Sequence, residues 1–154
     1  ITLVKNEAGL IPLNPEHEVT MVEFPPTQGF AHTLGFSSFL LSAEPTQSDL
    51  NLLFTMRPYQ TLIFLTTDAN FSQAQADAVR QSIANGIPTI VIATRNPHDI
   101  MAFPEVSTYI VSYGNNPPAL EALSSILRGS AGSTGTLPVD IPSLYNIGEG
   151  IKGD

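Results

Sequence analysis

Two continuous apolar runs, TLIFLTT (residues 61–67) and PTIVIAT (residues 88–94), constrain the fold more than any other feature of the sequence. Runs of this length without polar interruption are typical of parallel strands that helices cover on both faces. Between the two runs, Ser72 can cap a helix through QAQADAVRQSIAN, and Gly86 can end it. The sequence therefore predicts a strand–helix–strand unit at the centre of a parallel sheet.

The same alternation extends to both sides of this unit and predicts further strands and helices. Strands are expected at EVTMVEF (residues 18–24) and STYIVSY (residues 107–113). The helical segments are HTLGFSSFLLSA (residues 32–43), a helix capped by Ser48 and Asp49 that runs through NLLFTMRPY (residues 51–59), a short segment at HDIMAF (residues 98–103), and a helix from Asn116-Pro117-Pro118 through ALEALSSILRG.

The two ends of the chain do not follow this alternation of strands and helices. ITLVKNEAGLIPL (residues 1–13) is β-prone but no crossover helix follows it, so we expect it on the surface or against an adjacent module. TLPVDIP (residues 136–142) is expected to form an edge strand, where proline is tolerated. The predicted fold is one domain over residues 1–154, a three-layer α/β sandwich with a mostly parallel sheet, helices on both faces and a C-terminal edge strand.

Glycines in GSAGSTG (residues 129–135) raise the possibility of a phosphate-binding loop. Such loops place their glycines after a strand and before a helix, so that helix N–H groups face the anion. Here the glycines follow a helix. We therefore interpret Gly129 as a left-handed helix stop and the following residues as a flexible return to the sheet.

Composition narrows the classes of function. Lys and Arg together number 6 against 14 Asp and Glu, and the net charge of -8 opposes a nucleic-acid partner. No apolar run approaches the roughly 18 residues that a membrane-spanning helix requires. The chain has no cysteine and begins at Ile1 without a leader, so an export signal is either removed or not included. An exported or cell-surface location is slightly favoured over the cytoplasm.

Polar residues directly after the two central strands are the candidates for a site, because open α/β sheets bind ligands at the carboxyl ends of their strands. Asp68 and Asn70 follow the first strand and can either reach a sugar hydroxyl or form a strand-to-helix turn. Arg95 can bind a carboxylate to anchor its loop, or hold a partner domain, and anchoring is preferred. His98 and Asp99 can act in catalysis or, as we favour, begin a short helix.

Other catalytic and metal-binding patterns are missing from the sequence. No Gly-x-Ser-x-Gly elbow occurs, and His17, His32 and His98 have no spacing that pairs them on one helix as metal ligands. We predict neither a metal site nor a cofactor.

Several stretches together resemble the C-terminal domain of family 3 glycoside hydrolases, the β-glucosidase and β-N-acetylglucosaminidase group. These stretches are ITLVKNEAGLIPL, VIATRNPHDI, and SYGNNPPALEALSSILRG followed by GTLPVDIP. In order, they are similar to the family's entry into its second domain, to its Arg-Asn-Pro turn, and to its Tyr-Gly, helix, Gly and Leu-Pro-Val ending. The resemblance runs from about Ile1 to Ile147.

The resemblance implies an α/β sandwich that packs beside an N-terminal (β/α)8 barrel, which supplies the aspartate nucleophile. Such a barrel needs about 250 residues, so this chain does not hold one. Glucosidase-type members offer a glutamate from the loop after a central strand of the second domain, whereas the N-acetylglucosaminidase type uses an Asp-His pair on the barrel. The loop at residues 68–71 contains no glutamate. The resemblance therefore implies the second type, acting on amino-sugar glycans such as peptidoglycan or chitin fragments.

Five functions remain open at this point. The favoured one is an accessory domain that is inactive alone and adds stability or a wall of the substrate cleft. The others are a glycan-binding module, an interdomain scaffold, the C-terminal domain of a β-glucosidase, and a small-molecule enzyme that uses Asp68, His98 and Asp99. The enzyme requires these side chains to converge in one pocket.

Overall fold

The computed structural model describes residues 1–56 and 60–153, and strands alternate with helices along most of the chain. The predicted end of the second helix, at residues 57–59, lies outside the described residues. The strands form one sheet in the order β1-β6-β5-β4-β2-β3. Neighbouring strands run parallel except for β1, which is antiparallel to β6. The strands are β1 Thr2–Asn6, β2 Val19–Glu23, β3 Ser37–Leu40, β4 Thr61–Thr66, β5 Thr89–Ala93 and β6 Thr108–Val111.

Within residues 1–56 and 60–153, four α-helices and three 3₁₀ turns connect these strands. The α-helices are α1 Phe30–Leu34, α2 Gln47–Met56, α3 Gln73–Ala84 and α4 Pro117–Arg128, and the 3₁₀ turns are Pro25–Thr27, Ala69–Phe71 and Pro97–Ala102. Ser72 caps α3 by accepting a hydrogen bond from the Gln75 amide, as predicted. The predicted cap of α2 at Ser48 is wrong, because Thr46 and Asp49 bond to each other's amides and Ser48 lies inside the helix.

The core lies in two layers, one on each face of the sheet, and this confirms the predicted sandwich. Helices α2 and α3 pack on one face, and α1 and α4 pack on the other. Both central strands are buried along their whole length, with Phe64 of β4 facing the first layer and Ile63 facing the second. Burying one such side chain stabilises the fold by roughly 1.5–3 kcal/mol.

The helix predicted over residues 32–43 is wrong from Gly35 onward. Helix α1 ends at Leu34 because Gly35 adopts a left-handed conformation, with φ 79°. Residues Ser37–Leu40 then form β3, which pairs in parallel with β2 at the edge of the sheet. The strand is mostly exposed, so it lacks the apolar pattern that identifies a buried strand.

Part of the N-terminal segment belongs to the sheet, so the predicted surface position is wrong for residues 2–6. Residues Thr2–Asn6 form β1, whose Thr2, Leu3 and Val4 are buried. The strand pairs antiparallel with β6, which follows more than a hundred residues later in the sequence. Antiparallel pairing needs no crossover helix next to the strand, and this removes the reason for the prediction.

The predicted C-terminal edge strand does not form, and the tail (residues 130–153) instead lies across β1. Within the described part of the tail, isolated bridges at Ile141 and Ile151 replace a strand. Pro138 and Pro142 have no N–H to give to a strand ladder. Leu137 and Ile141 are each 1% exposed, so buried side chains anchor the segment in place of strand pairing.

Glycines allow this tail to approach β1 closely. A Cβ at Gly135 would lie 2.0 Å from the carbonyl oxygen of Ile1, so no larger residue fits there without movement of the backbone. The Leu3 amide donates to Ser133 Oγ, and the Ile151 amide donates to the Leu3 carbonyl. Gly129 ends α4 with φ 75°, as predicted. The glycine-rich stretch thus ends a helix and then packs backbone against backbone.

Candidate functional site

The candidate site lies at the carboxyl ends of β4 and β5. We call residues 67–72 the β4 loop and residues 94–103 the β5 loop. The β4 loop carries Asp68 and Asn70, and the β5 loop carries Arg95, His98 and Asp99. Because β4 and β5 are parallel neighbours, the two loops leave the sheet side by side. All five predicted residues therefore lie at one edge of the sheet, where open α/β sheets bind ligands.

Asp68 and Arg95 form an ion pair that joins the two loops. Arg95 Nη1 lies 3.3 Å from Asp68 Oδ2, with one nitrogen–oxygen contact in place of a bidentate pair. Asp68 has φ 52°, a left-handed backbone conformation that non-glycine residues rarely adopt. The Arg95 side chain is 75% exposed, so the attraction between the charges is screened and weak. Of the two carboxylates in these loops, Asp68 is the more exposed, and it is the one that contacts Arg95.

A chain of hydrogen bonds connects Asn70 and His98 to the tail. The Asn96 side chain donates to Asn70 Oδ1, and its own Oδ1 accepts from the His98 amide. His98 Nδ1 lies 3.0 Å from Asn96 Oδ1, and His98 Nε2 donates to the Asp140 carbonyl at 3.0 Å. Through the bond from Nε2 to the tail, His98 holds the β5 loop against residues 139–142.

Asp99 lies beneath the two loops and is 0% exposed. Its Oδ2 accepts a hydrogen bond of 2.7 Å from Thr66 Oγ1, and its Oδ1 has no hydrogen-bond partner in the described part of the chain. Burial raises the pKa of Asp99, the Thr66 hydroxyl and the nearby amides of Ala69 and Asn70 lower it, and the charge of Asp68 raises it further. No substrate reaches a carboxylate in this position.

The predicted residues do not line one pocket. A cavity of about 210 Å³ at the ends of β4, β5 and β6 contains Arg95, together with Thr67, Thr94 and Tyr113. A groove of about 400 Å³ beside the β4 loop contains Asn70. Asp68, His98 and Asp99 line neither, so the convergence that a small-molecule enzyme requires is missing from these two pockets.

Two residues at this edge escaped the sequence analysis as site candidates. Phe71 ends the Ala69–Phe71 turn and is 83% exposed. Tyr113 follows β6, has φ 60°, and its hydroxyl hydrogen-bonds with Thr2 Oγ1. Burial raises the pKa of Tyr113, and this hydrogen bond lowers it. Residues Tyr113 and Gly114 belong to SYGNNPPALEALSSILRG, one of the stretches that carry the family resemblance. That stretch is the signal that could have identified Tyr113 as a candidate.

Across residues 1–56 and 60–153, no three His, Asp or Glu side chains lie close enough together to bind a metal ion. In the same residues, no helix has the length and apolarity needed to cross a bilayer.

Comparison with known proteins identifies relatives of this fold. No family model matches the sequence. A 56-residue segment is 38% identical to a β-N-acetylglucosaminidase/β-glucosidase of Cellulomonas fimi, a match that covers 36% of this chain and 10% of that protein.

Solved structures match over nearly the whole chain. A family 3 β-N-acetylglucosaminidase from Paenibacillus is 26% identical with a TM-score of 0.77, over 91% of this chain and 30% of that one. A fungal multi-domain family 3 β-N-acetylglucosaminidase has a TM-score of 0.80 at 24% identity, over 95% of this chain and 18% of its own. The β-glucoside phosphorylase BglX has the same fold, with a TM-score of 0.65 at 21% identity, over 92% of this chain and 29% of its own.

These matches confirm the resemblance to part of a family 3 glycoside hydrolase and the predicted α/β fold. The chain spans less than a third of the length of the solved structures that it matches.

Proposed function

We propose that this chain is the accessory C-terminal domain of a family 3 glycoside hydrolase of the β-N-acetylglucosaminidase type, and that it does not hydrolyse glycosides alone. The observation that carries the proposal is the match to the Paenibacillus enzyme, which includes almost all of this chain and less than a third of the enzyme. In this proposal the partner is an N-terminal (β/α)8 barrel that supplies the nucleophile, and the chain folds as one domain beside it.

The chemistry of the strand-end loops supports an accessory role. Retaining glycoside hydrolysis needs two carboxyl groups about 5 Å apart that flank the scissile bond, or a substitute for one of them. Asp99 is buried, and Asp68 is paired with Arg95. The β4 and β5 loops therefore present no free pair of carboxylates to a sugar. The domain is therefore proposed to contribute stability to the parent enzyme and one wall of its substrate cleft.

The type of parent enzyme is proposed from the β4 loop. Residues 67–72 contain no glutamate, and by resemblance glucosidase-type members carry their acid/base there. The proposed substrates of the parent are amino-sugar glycans such as peptidoglycan or chitin fragments. The Cellulomonas fimi relative carries both activities in its name, so a β-glucosidase parent is the second candidate.

The proposal is tested with the purified chain on two substrates, aryl β-N-acetylglucosaminide and aryl β-glucoside. We expect no hydrolysis of either substrate above the rate without protein. Hydrolysis that Asp68→Ala abolishes would place the chemistry in this chain and end the proposal. Arg95→Ala is the matched control, because it breaks the same ion pair and leaves the carboxylate in place.

A glycan-binding module is kept as a further candidate because Phe71 presents an exposed aromatic ring beside polar Asn70. A pull-down on insoluble chitin and on peptidoglycan distinguishes it from a scaffold. Retention of the chain that Phe71→Ala removes would establish glycan binding, and an accessory scaffold remains in the supernatant.

A further inference from the structure

A groove of about 400 Å³ opens at the amino ends of β2 and β3. Val19 and Ser37, the first residues of these two strands, both line it. The β4 and β5 loops leave the carboxyl ends of strands that run parallel to β2, so this groove lies at the opposite end of the sheet from them. Arg128, from the last turn of α4, also lines it, and we call it the Arg128 groove.

The guanidinium of Arg128 is held in place by its neighbours. Its Nη2 donates to the Leu34 carbonyl at 2.8 Å, and its Nε donates to Ser124 Oγ at 3.3 Å. Its central carbon lies 4.6 Å from the centre of the Phe36 ring, a stacked arrangement that arginine favours. Gly35 leaves room for this arrangement, because a Cβ there would lie 3.3 Å from Nη2. The cation is therefore fixed before a ligand arrives, which lowers the entropy cost of binding.

The charge of Arg128 is not neutralised by a carboxylate of the described residues. The ion pairs found there join Lys5 to Glu7, Arg80 to Glu105, and Arg95 to Asp68. The hydrogen bonds of Arg128 use Nε and Nη2, and among the same residues no bond from Nη1 is found. Arginine has five N–H donors in a planar fork that matches a carboxylate. The two N–H groups of Nη1 are thus left to donate to a ligand.

Residues 14–17 add two polar side chains to the wall of the groove. Asn14 Oδ1 accepts from the Glu16 amide at 2.9 Å, and the His17 amide donates to the Asn14 carbonyl at 3.0 Å. Asn14 Nδ2 and His17 Nε2 lie 3.5 Å apart, and both side chains line the groove. The Leu13 amide donates to the Leu127 carbonyl at 2.8 Å and attaches this segment to the end of α4. The polar wall and the guanidinium therefore belong to one connected structure.

The chemistry of the lining fits one carboxylate on a small molecule. Arg128, Asn14 and Ser37 supply N–H and O–H donors, and a carboxylate accepts several such bonds. Phe36 and Val19 offer apolar surface to the rest of the ligand. Among the described residues that line the groove, Arg128 is the only Lys or Arg. A single cation in a chain of net charge -8 favours a singly charged ligand over a phosphate.

We propose that the Arg128 groove is a binding site for a small carboxylate ligand, whose oxygens accept hydrogen bonds from Arg128 Nη1 and from the polar side chains beside it. The inference goes beyond the proposed function, and only the choice of probes rests on that function. Amino-sugar glycans of the peptidoglycan type offer two sources of a carboxylate, an acidic sugar and the end of a peptide. If the chain alone hydrolyses glycosides, the proposed function fails and the groove stands. If no carboxylate binds, the groove fails and the accessory role stands.

Nuclear magnetic resonance titration of the 154-residue chain tests the proposal. The probes are N-acetylmuramic acid for the acidic sugar and N-acetyl-D-alanyl-D-alanine for the peptide end, with uncharged N-acetylglucosamine as the control. We expect one of the two acids to shift the amide signals of Gly35 and Ser37 and the Nε–H signal of Arg128, with a dissociation constant below about 1 mM. Gly114, beyond the carboxyl end of β6, is expected not to shift.

The acid that binds identifies the source of the carboxylate. Absence of saturable shifts with both acids would overturn the proposal, and Arg128 would then serve only the ends of α1 and α4. Equal binding of N-acetylglucosamine would overturn it as well, because that sugar lacks the carboxylate. Equal binding of inorganic phosphate would contradict the assignment to a carboxylate.

Two neighbouring serines provide variants that leave the bonds of Arg128 intact. Ser37 and Ser38 are both exposed on β3, and consecutive side chains of a strand point to opposite faces, so that only Ser37 lines the groove. Ser37→Asp places a negative charge in the groove, and we expect it to weaken binding of the acid about tenfold or more by repulsion. Ser38→Asp adds the same charge outside the groove and is expected to change binding less than about twofold. Equal dissociation constants for the two variants would overturn the proposal.

Arg128→Lys tests the guanidinium itself. Lysine keeps the charge but loses the planar fork and the stacking on Phe36, so we expect about tenfold weaker binding. Arg80→Lys on α3 is the matched control and is expected to bind as the wild-type chain does. Wild-type affinity in Arg128→Lys would contradict the role of the fork. If this variant does not fold, the comparison of Ser37→Asp with Ser38→Asp decides the outcome.

Discussion

The β4 and β5 loops and the tail segment over β1 differ in whether their apolar side chains are exposed or buried. In the β4 and β5 loops, polar side chains bond to each other, as in the pair of Asp68 and Arg95, and an aromatic residue, Phe71, is left in water. In the tail, Leu137 is buried and the backbone packs directly on β1 through Gly135. The difference shows that the tail completes this fold, whereas the ring of Phe71 stays uncovered by the residues that the structure describes.

The largest expected effect compares one apolar residue from each region. Leu137→Ala removes a side chain that is 1% exposed, and we expect it to lower the free energy of unfolding by about 2–5 kcal/mol. Phe71→Ala removes a side chain that is 83% exposed and is expected to change this energy by less than about 0.5 kcal/mol. Urea unfolding of the 154-residue chain measures both variants. Similar losses in the two would remove the distinction between the regions.

A glycine pair tests the close approach of the tail to β1. Gly135→Ala places a Cβ where the Ile1 carbonyl oxygen lies, and we expect a loss of about 1–3 kcal/mol or more from overpacking. Gly114→Ala is the control, because its nearest contact would be an ordinary 3.7 Å to Asn116. Chemical denaturation distinguishes the two. A stable Gly135→Ala variant would show that the tail can move away from β1 at little cost.

The pH dependence of stability reports on Asp99 beneath the loops. Its pKa in the folded chain lies above the usual 3.8, chiefly because of burial, so the folded state binds its proton more tightly than the unfolded state does. The contribution of Asp99 is therefore fully present below pH 3.8 and is lost as pH rises through the raised pKa, by up to about 1.4 kcal/mol per pH unit.

Asp99→Asn removes this titration. Unfolding free energies of the wild-type chain and the variant, measured from pH 3.5 upward, give a difference curve that isolates Asp99 from the other carboxylates. We expect the wild-type chain to lose stability relative to the variant as pH rises. A flat difference curve, or one of opposite slope, would contradict the role of burial.

The smallest expected effect concerns the backbone at Asp68. Asp68→Gly and Asp68→Ala both break the exposed ion pair, which contributes at most about 1 kcal/mol. Glycine tolerates φ 52° and alanine does not, so we expect the glycine variant to be the more stable by about 1 kcal/mol. Differential scanning calorimetry measures this difference. An alanine variant as stable as the glycine variant would show that the turn relaxes.

The sequence predicts those parts of the fold that have a local signal. Strands β4 and β5 and the helices α3 and α4 follow from apolar runs, caps and a terminal glycine. Strand β3 is exposed at an edge and has no such pattern. Strand β1 depends on pairing with β6 far along the chain, and the path of the tail depends on a backbone contact with Ile1. Non-local contacts of this kind leave no periodicity to read.

The candidate site also has some features that the sequence indicates and others that depend on non-local contacts. The position of Asp68 beside Arg95 follows from parallel strands that end at one edge, which sequence can indicate. The burial of Asp99 depends on Thr66, a residue on another strand, and the exposure of Phe71 is contrary to what its hydrophobicity suggests. Both of these features depend on non-local packing, which leaves no pattern in the sequence.

The most direct test of the account adds the 154-residue chain to the separately produced barrel domain of the parent and measures hydrolysis of aryl β-N-acetylglucosaminide together with the thermal midpoint of the barrel. The account predicts that the chain alone is silent and that the barrel gains rate or thermal stability on mixing. Hydrolysis by the chain alone, or a barrel that is unchanged by saturating amounts of the chain, would contradict it.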